Sequence, residues 1–218
     1  MASMKDLLSH VPLYVGLQKA VGADKLRYWC LDAAGIQPGE VVIDVGCGPA
    51  YYFERLPQPL TYHGFDTDQK YIEQARSKLG DRGTFHHGVF DSKAAADLPA
   101  PDVVLLLGLL HHLSDRDSRD LLELCASILT PRGRVVSVDT AFVPGQGRFS
   151  RWMSDNDRGE FVRYPEGFEA LAAPYFGSTK TQIVSGTGRI PGAYVLMTLS
   201  ESRASVEEVT DTTESLGQ

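Results

Sequence analysis

The sequence predicts an α/β domain built on a mostly parallel β-sheet with helices on both faces, and three observations support this. From residue 41 onward, short apolar runs typical of strands alternate with stretches of helical periodicity. The first run ends in a glycine-rich turn, as strands do where they lead into a helix. Two late apolar runs, 179–184 and 193–199, lie too close together for a helical crossover, so we expect a terminal antiparallel pair.

Length and composition fit one compact enzyme domain. The chain has 218 residues and no internal repeat. We expect a helical cap at 1–36, the main domain at 37–200, and a disordered acidic tail without aromatic residues at 201–218. The formal net charge of −7 disfavours a nucleic-acid partner, because phosphate binding requires clustered Lys and Arg.

Cysteine use and the first residues favour a reduced, cytoplasmic setting. Cys30, Cys47 and Cys125 are too widely spaced for a disulfide framework or a zinc site, and no metal-ligand cluster is visible. Residues 1–10 lack the apolar core of a secretory signal, and the apolar run at 102–113 is too short to span a membrane.

The first strand and its turn carry the most informative pattern, Val-Val-Ile-Asp-Val-Gly-Cys-Gly-Pro-Ala at 41–50. Gly46 and Gly48 remove side chains where a ligand approaches the backbone. Tyr51 occupies the third glycine position of a dinucleotide fingerprint, and Asp44 would repel a pyrophosphate. The pattern therefore favours a cationic ligand over a dinucleotide.

The stretch Asp-Val-Gly-Cys-Gly-Pro-Ala resembles motif I of the class I S-adenosylmethionine-dependent methyltransferases, usually [DE]-x-G-x-G-x-G. The resemblance implies a seven-stranded Rossmann-like sheet with a reversed last strand, and S-adenosylmethionine as cofactor. It also implies that Asp44 lies near the methionyl ammonium, that Gly46 and Gly48 let the cofactor lie against bare backbone, and that Cys47 packs beneath it. Ala50 departs from the third family glycine.

A second acid follows at the spacing that the resemblance requires. Asp66 ends the short strand predicted at 61–66, where a carboxylate can accept two hydrogen bonds from a ribose diol. Thr67 then joins the predicted cofactor residues. Asp68 is interpreted as the N-cap of a helix over 69–79 rather than as a cofactor ligand.

A third strand is predicted at 84–87, followed by Gly-Val-Phe-Asp at 88–91. This step resembles the place where the family contacts the adenine amino group. Asp91 is the predicted acceptor and Phe90 the apolar wall of the ring. The alternative for Asp91 is a local Asx turn.

The fourth strand, within 102–113, ends at Leu107 and Gly108, which we expect to line the cofactor site as the family's stretch after motif II does. His111 and His112 follow, and a neutral imidazole there can act as general base. His111 is the preferred candidate. The alternative is that both histidines serve only packing or hydrogen bonding at the start of the next helix.

A Pro-Arg-Gly turn at 131–133 introduces the fifth strand and resembles the family's motif III. Asp139 lies at the end of that strand, where α/β sheets place ligands, so it contacts substrate or forms a salt bridge. The segment at 141–167 is the predicted substrate lid and offers Trp152 as an apolar contact. Tyr14, in the N-terminal cap, is a further predicted substrate residue.

Together these patterns predict a methyltransferase acting on a small-molecule acceptor, with no nucleic-acid or membrane partner. The acceptor atom is left open between oxygen, carbon and nitrogen. The alternative is a fold relative that binds S-adenosylmethionine without transferring its methyl group, as a cyclisation or rearrangement catalyst or a regulatory subunit.

Overall fold

The protein is described by a computed structural model over residues 23–155, 159–185 and 192–204. The strands are β1 (Val41–Val45), β2 (Thr61–Asp66), β3 (Thr84–His87), β4 (Val103–Leu107), β5 (Arg134–Thr140), β6 (Phe176–Ser185) and β7 (Ala193–Ser202). The α-helices are α1 (Ala23–Ala34), α2 (Gln69–Leu79), α3 (Ser92–Ala96), α4 (Asp115–Ile128), α5 (Arg148–Asp155) and α6 (Pro165–Ala172). Single 3₁₀ turns occupy Phe53–Arg55, Gly80–Arg82 and Leu110–His112.

The strands form one seven-stranded sheet in the order β3-β2-β1-β4-β5-β7-β6. Strands β1 to β5 pair in parallel, whereas β7 runs antiparallel to both β5 and β6. The predicted fold is therefore confirmed, including the reversed last strand and the antiparallel pair near the carboxyl terminus.

Two apolar clusters pack on opposite faces of the sheet. Helices α1 and α2 cover one face, where Cys30, Ile72 and Leu79 belong to the same apolar cluster as strand residues such as Val42. Helices α4 and α6 cover the other face, which includes Leu122, Phe168 and Met197. Because the strands are buried on both faces, they appear in the sequence as continuous apolar runs rather than as alternating patterns.

Local signals set the helix ends. The Asp68 carboxylate accepts a hydrogen bond from the Lys70 amide and begins α2, as the sequence predicts. Ser114 caps α4 by accepting from the Asp117 amide, and acids in the first turn of that helix complement its dipole.

The strand order reverses between β1 and β4. After β3 the chain returns to the other side of β1, so the loops that follow β1 and β4 diverge at the carboxyl edge of the sheet. Ligands of open α/β sheets bind in the crevice that such a reversal creates. The predicted site residues that fall within the described ranges follow β1 to β5 at this edge, whereas Tyr14 and most of the 201–218 tail lie outside the described residues.

Candidate functional site

The glycine turn after β1 is fastened to the end of β2 by backbone hydrogen bonds. The Gly46 and Cys47 amides both donate to the Phe65 carbonyl, at 2.8 and 3.0 Å. The turn uses left-handed backbone at Gly46 (φ 77°), Gly48 (φ 55°) and Ala50 (φ 52°). Ala50 thus adopts the conformation that glycine, the usual family residue, adopts without strain.

Asp66 joins the turn to the second strand. Its Oδ2 accepts a hydrogen bond from the Gly48 amide at 2.8 Å, and its Oδ1 accepts from the Asp68 amide at 2.8 Å. Each carboxylate oxygen has a second lone pair, so Asp66 keeps acceptor capacity for a ribose hydroxyl while it fixes the turn.

Asp44 is buried beneath the turn, with 6% of its surface exposed. The Tyr62 hydroxyl donates to Asp44 Oδ2 at 2.7 Å. Burial, together with the negative charges of Asp44 and Asp66, raises the pKa of the neighbouring Cys47 thiol. A thiol held in its protonated form packs under the turn but is a poor nucleophile.

A cleft of about 720 Å³ opens beside the turn. Its lining includes five of the predicted cofactor residues, Gly46, Asp66, Thr67, Phe90 and Asp91. It also includes residues that sequence reasoning did not assign, among them Val45, Leu109, Leu121 and Leu124. The leucines of α4 belong to the apolar stripe of that helix, which indicates burial but not which neighbour covers it.

The charges of the cleft disfavour an anionic ligand on electrostatic grounds. Asp66, Asp91, Asp117 and Asp120 line it, and no Lys or Arg does so among the described residues. Such a lining attracts a cation and repels a pyrophosphate. Phe90 packs against Phe65 with ring centroids 4.9 Å apart and supplies a flat apolar wall.

Asp91 has a structural role in addition to its place in the cleft. Its Oδ1 accepts from the Ala94 amide at 2.8 Å and caps α3, which is the local turn that the sequence analysis kept as an alternative. The predicted contact with an adenine amino group stays a prediction.

His111 and Asp139 form a buried pair at the ends of β4 and β5. Asp139 Oδ1 lies 2.9 Å from His111 Nδ1 and also accepts from the His111 amide at 3.1 Å. The two side chains are 8% and 0% exposed. With a carboxylate oxygen as acceptor at Nδ1, this geometry favours the tautomer of His111 that carries its proton on Nδ1 and its lone pair on Nε2. Asp139 therefore makes a hydrogen bond within the chain, and its predicted contact with substrate stays a prediction.

The two histidines differ in their position relative to the cleft, which His112 lines and His111 does not. His112 lines the cleft, and its ring centroid lies 4.2 Å from that of His111. Gly108 takes left-handed backbone (φ 79°) beside the His111 ring, and its amide donates to the Val138 carbonyl at 2.7 Å. Leu107 is half-buried at the end of β4, and neither Leu107 nor Gly108 is among the residues that line the cleft.

Arg163 fastens the predicted lid to the turn that carries His111. Its guanidinium donates to the Leu110 and Leu113 carbonyls at 2.9 and 2.7 Å and to Asp115 Oδ1 at 2.8 Å. The Phe161 amide also donates to the His111 carbonyl at 3.0 Å. The end of the 141–167 segment therefore covers His111.

The beginning of the segment is less enclosed. Ser154 of α5 donates to the Ala141 carbonyl at 3.3 Å and anchors that helix. Trp152, on the same helix, has 44% of its surface exposed and does not line the cleft. Its predicted contact with substrate stays a prediction.

Comparison with known proteins assigns the fold and the domain. A family model for a methyltransferase domain matches residues 43–135. A protein of Geobacillus thermodenitrificans (strain NG80-2), named an uncharacterized methyltransferase, is 26% identical over 126 residues, which are 56% of this chain and 54% of that protein. The chain thus spans about half the length of this curated relative.

Solved structures share the architecture at low sequence identity. In the complex between the Haloferax volcanii Trm112 methyltransferase activator and a methyltransferase, one chain matches with a TM-score of 0.65 and 15% identity, over 92% of this chain and 99% of that one. CalO1, a methyltransferase in calicheamicin biosynthesis with S-adenosylhomocysteine bound, matches at 0.62 and 20% identity, over 92% and 61%. The [4+2]-cyclase SpnF matches at 0.59 and 16% identity, over 82% and 81%.

These structural likenesses establish the fold alone, whereas the domain match covers the strands that bear the glycine turn, both acids and the histidines. Residues 43–135 are therefore similar to a methyltransferase domain, and they lie on a seven-stranded sheet with a reversed last strand whose fold resembles that of solved methyltransferase structures.

Proposed function

We propose that this protein transfers the methyl group of S-adenosylmethionine to a small-molecule acceptor by in-line displacement, with His111 as general base. The observation that carries the proposal is the buried His111–Asp139 pair, 2.9 Å apart, at the sheet edge that also holds the glycine turn and Asp66. This arrangement supports a site in which the glycine turn and Asp66 position a cationic nucleoside and His111 accepts a proton.

The described residues fit this cofactor. Asp66 would hold the ribose, the left-handed glycines would let the nucleoside approach the backbone, and Phe90 would flank the adenine. The acidic lining suits a sulfonium and an ammonium group. When bound, S-adenosylmethionine supplies a methyl group on a positively charged sulfur.

The chain's own part in the reaction is positioning and proton transfer. Asp139 keeps the proton of His111 on Nδ1, so Nε2 can accept a proton from a hydroxyl or an acidic carbon of the acceptor. Asp139 also stabilises the imidazolium that results. The segment that Arg163 holds in place packs over the turn that carries His111, which is 6% exposed, and would shield the reaction from solvent. An unprotonated amine acceptor needs positioning alone.

Binding and labelling test the proposal. Calorimetry should show that the chain binds S-adenosylhomocysteine and not NADH, and methyl-labelled cofactor should transfer label to one of a panel of phenols, carbon acids and amines. For a hydroxyl or carbon acceptor, His111→Ala should lower turnover by about 10²- to 10⁴-fold, the usual contribution of a general base, without changing cofactor affinity. His112→Ala is the matched control and should retain turnover. Equal losses in the two variants would contradict the assignment.

The similarity to SpnF supports a second candidate, catalysis of cyclisation by an S-adenosylmethionine-binding relative without methyl transfer. The cofactor-binding residues would be unchanged in that case. Label would then stay in the cofactor while the acceptor is rearranged, whereas a methyltransferase moves label into product.

The proposed setting is the reducing cytoplasm. All three cysteines, Cys30, Cys47 and Cys125, are buried free thiols. Among the described helices, none has both the length and the apolar character needed to cross a bilayer.

A further inference from the structure

We propose that Tyr62 is a positioning residue that holds the Asp44 carboxylate in place for the amino-acid end of the cofactor. The inference rests on the proposed S-adenosylmethionine site. It adds a residue outside the glycine motif, on a different strand, and it gives that residue a specific share of the cofactor's binding energy.

The pairing of β1 with β2 brings the two side chains together. Asp44 lies opposite Gly64, so Tyr62, two residues earlier on β2, is its diagonal neighbour on the same face. The Tyr62 hydroxyl donates to Asp44 Oδ2 at 2.7 Å, and the two residues are 2% and 6% exposed. A short hydrogen bond between two buried groups fixes the rotamer of both.

The ring of Tyr62 occupies a space made by missing side chains. A Cβ atom at Gly64 would lie 3.1 Å from Tyr62 Cε1, and one at Gly83 would lie 3.1 Å from Tyr62 Cδ1. Phe53 contacts the ring edge-on at a centroid distance of 4.9 Å, and Phe85 packs at 5.8 Å. The ring is therefore packed on several sides, and this packing directs the hydroxyl toward the Asp44 carboxylate.

The Tyr62 hydroxyl stabilises the charged form of the Asp44 carboxylate. Burial disfavours a charged carboxylate, whereas a donated hydrogen bond favours it. Burial and the negative charge of Asp44 raise the pKa of Tyr62 well above its usual value, so the phenol remains a donor. Tyr62 thus helps to keep a buried anion beside the site where a cationic ammonium group would bind.

Two probes that differ in the amino-acid end separate this role from general stability. S-adenosylhomocysteine carries the α-amino and carboxyl groups, and 5′-methylthioadenosine lacks them. In Tyr62→Phe, which keeps the ring, we expect calorimetry to show affinity for S-adenosylhomocysteine about tenfold weaker, the effect of one lost hydrogen bond to a charged group. Affinity for methylthioadenosine should stay within about twofold, because that probe does not use Asp44.

Matched variants complete the experiment. Asp44→Asn should show the same selective loss, and adding Tyr62→Phe to it should cost little more, because both changes remove one interaction. Phe85→Leu disturbs the same aromatic packing without touching the hydroxyl and should leave the ratio of the two affinities unchanged.

Four outcomes would overturn the inference. In Tyr62→Phe, equal weakening of both probes would show a structural role, and parental affinity for S-adenosylhomocysteine would show no role. In Asp44→Asn, an unchanged ratio of the two affinities would separate Asp44 from the amino-acid end. If the parent chain binds neither probe, the proposed function itself fails, and the inference fails with it.

Discussion

Removing the Asp66 carboxylate should weaken cofactor binding and loosen the glycine turn together. In Asp66→Ala, the amides of Gly48 and Asp68 lose their acceptor, and a bound ribose would lose its own. Removing the partner of a hydrogen-bonded group costs about 1–3 kcal/mol, so the affinity should fall by about 5- to 150-fold. Isothermal titration with S-adenosylhomocysteine measures this loss directly.

Asp68→Ala is the matched control for this experiment, because it removes an acid two residues away that only caps α2. It should lower the free energy of unfolding by about 1 kcal/mol, the usual value of an N-cap, while affinity for S-adenosylhomocysteine stays unchanged. Calorimetric unfolding of each variant checks that the protein binding the ligand is folded. A folded Asp66→Ala protein with parental affinity would refute the ribose assignment and the reasoning that joins it to the turn.

Two further predictions concern stability. Gly48→Ala should lower the free energy of unfolding by about 1 kcal/mol, because φ is 55° there, although the added Cβ would meet no atom within 4 Å. Gly147 is equally unhindered but has no positive φ, so Gly147→Ala should leave the free energy of unfolding unchanged. Chemical denaturation of the two variants tests this difference. Acidification from pH 7 to 5 should lower the melting temperature, because burial lowers the pKa values of His63 and His86 in the folded state, so the unfolded chain binds more protons in this window. His63→Gln should flatten that slope in scanning calorimetry, and a steeper slope would contradict the sign.

Much of the fold was predictable because its signals are local. The apolar strands are too uniform and too closely bounded by turns to be helices, and Asp68 lies where an N-cap is needed. The spacing between Asp44 and Asp66 places both acids at the ends of adjacent strands, and the sheet has them there. These signals depend on a few neighbouring residues and can therefore be recognised without knowledge of the tertiary structure.

The partnerships of the site residues were not predictable, because they depend on strand register. His111 and Asp139 were assigned separate roles from sequence, yet they pair because β4 and β5 are neighbours in the sheet. The sequence gives no sign that Tyr62 reaches Asp44, since a diagonal contact appears only once Gly64 is known to lie opposite the acid.

The position of β7 inside the sheet has a consequence for how the chain can be made and shortened. This strand is later in sequence than β6, yet it lies between β5 and β6 and pairs with both. A nascent chain that has emerged from the ribosome only as far as residue 192 leaves the whole length of β5 as an open, apolar edge, which is a template for aggregation. Native closure of the sheet must therefore await the synthesis of β7, and deletions that reach into this strand remove an interior partner rather than trim a dispensable end.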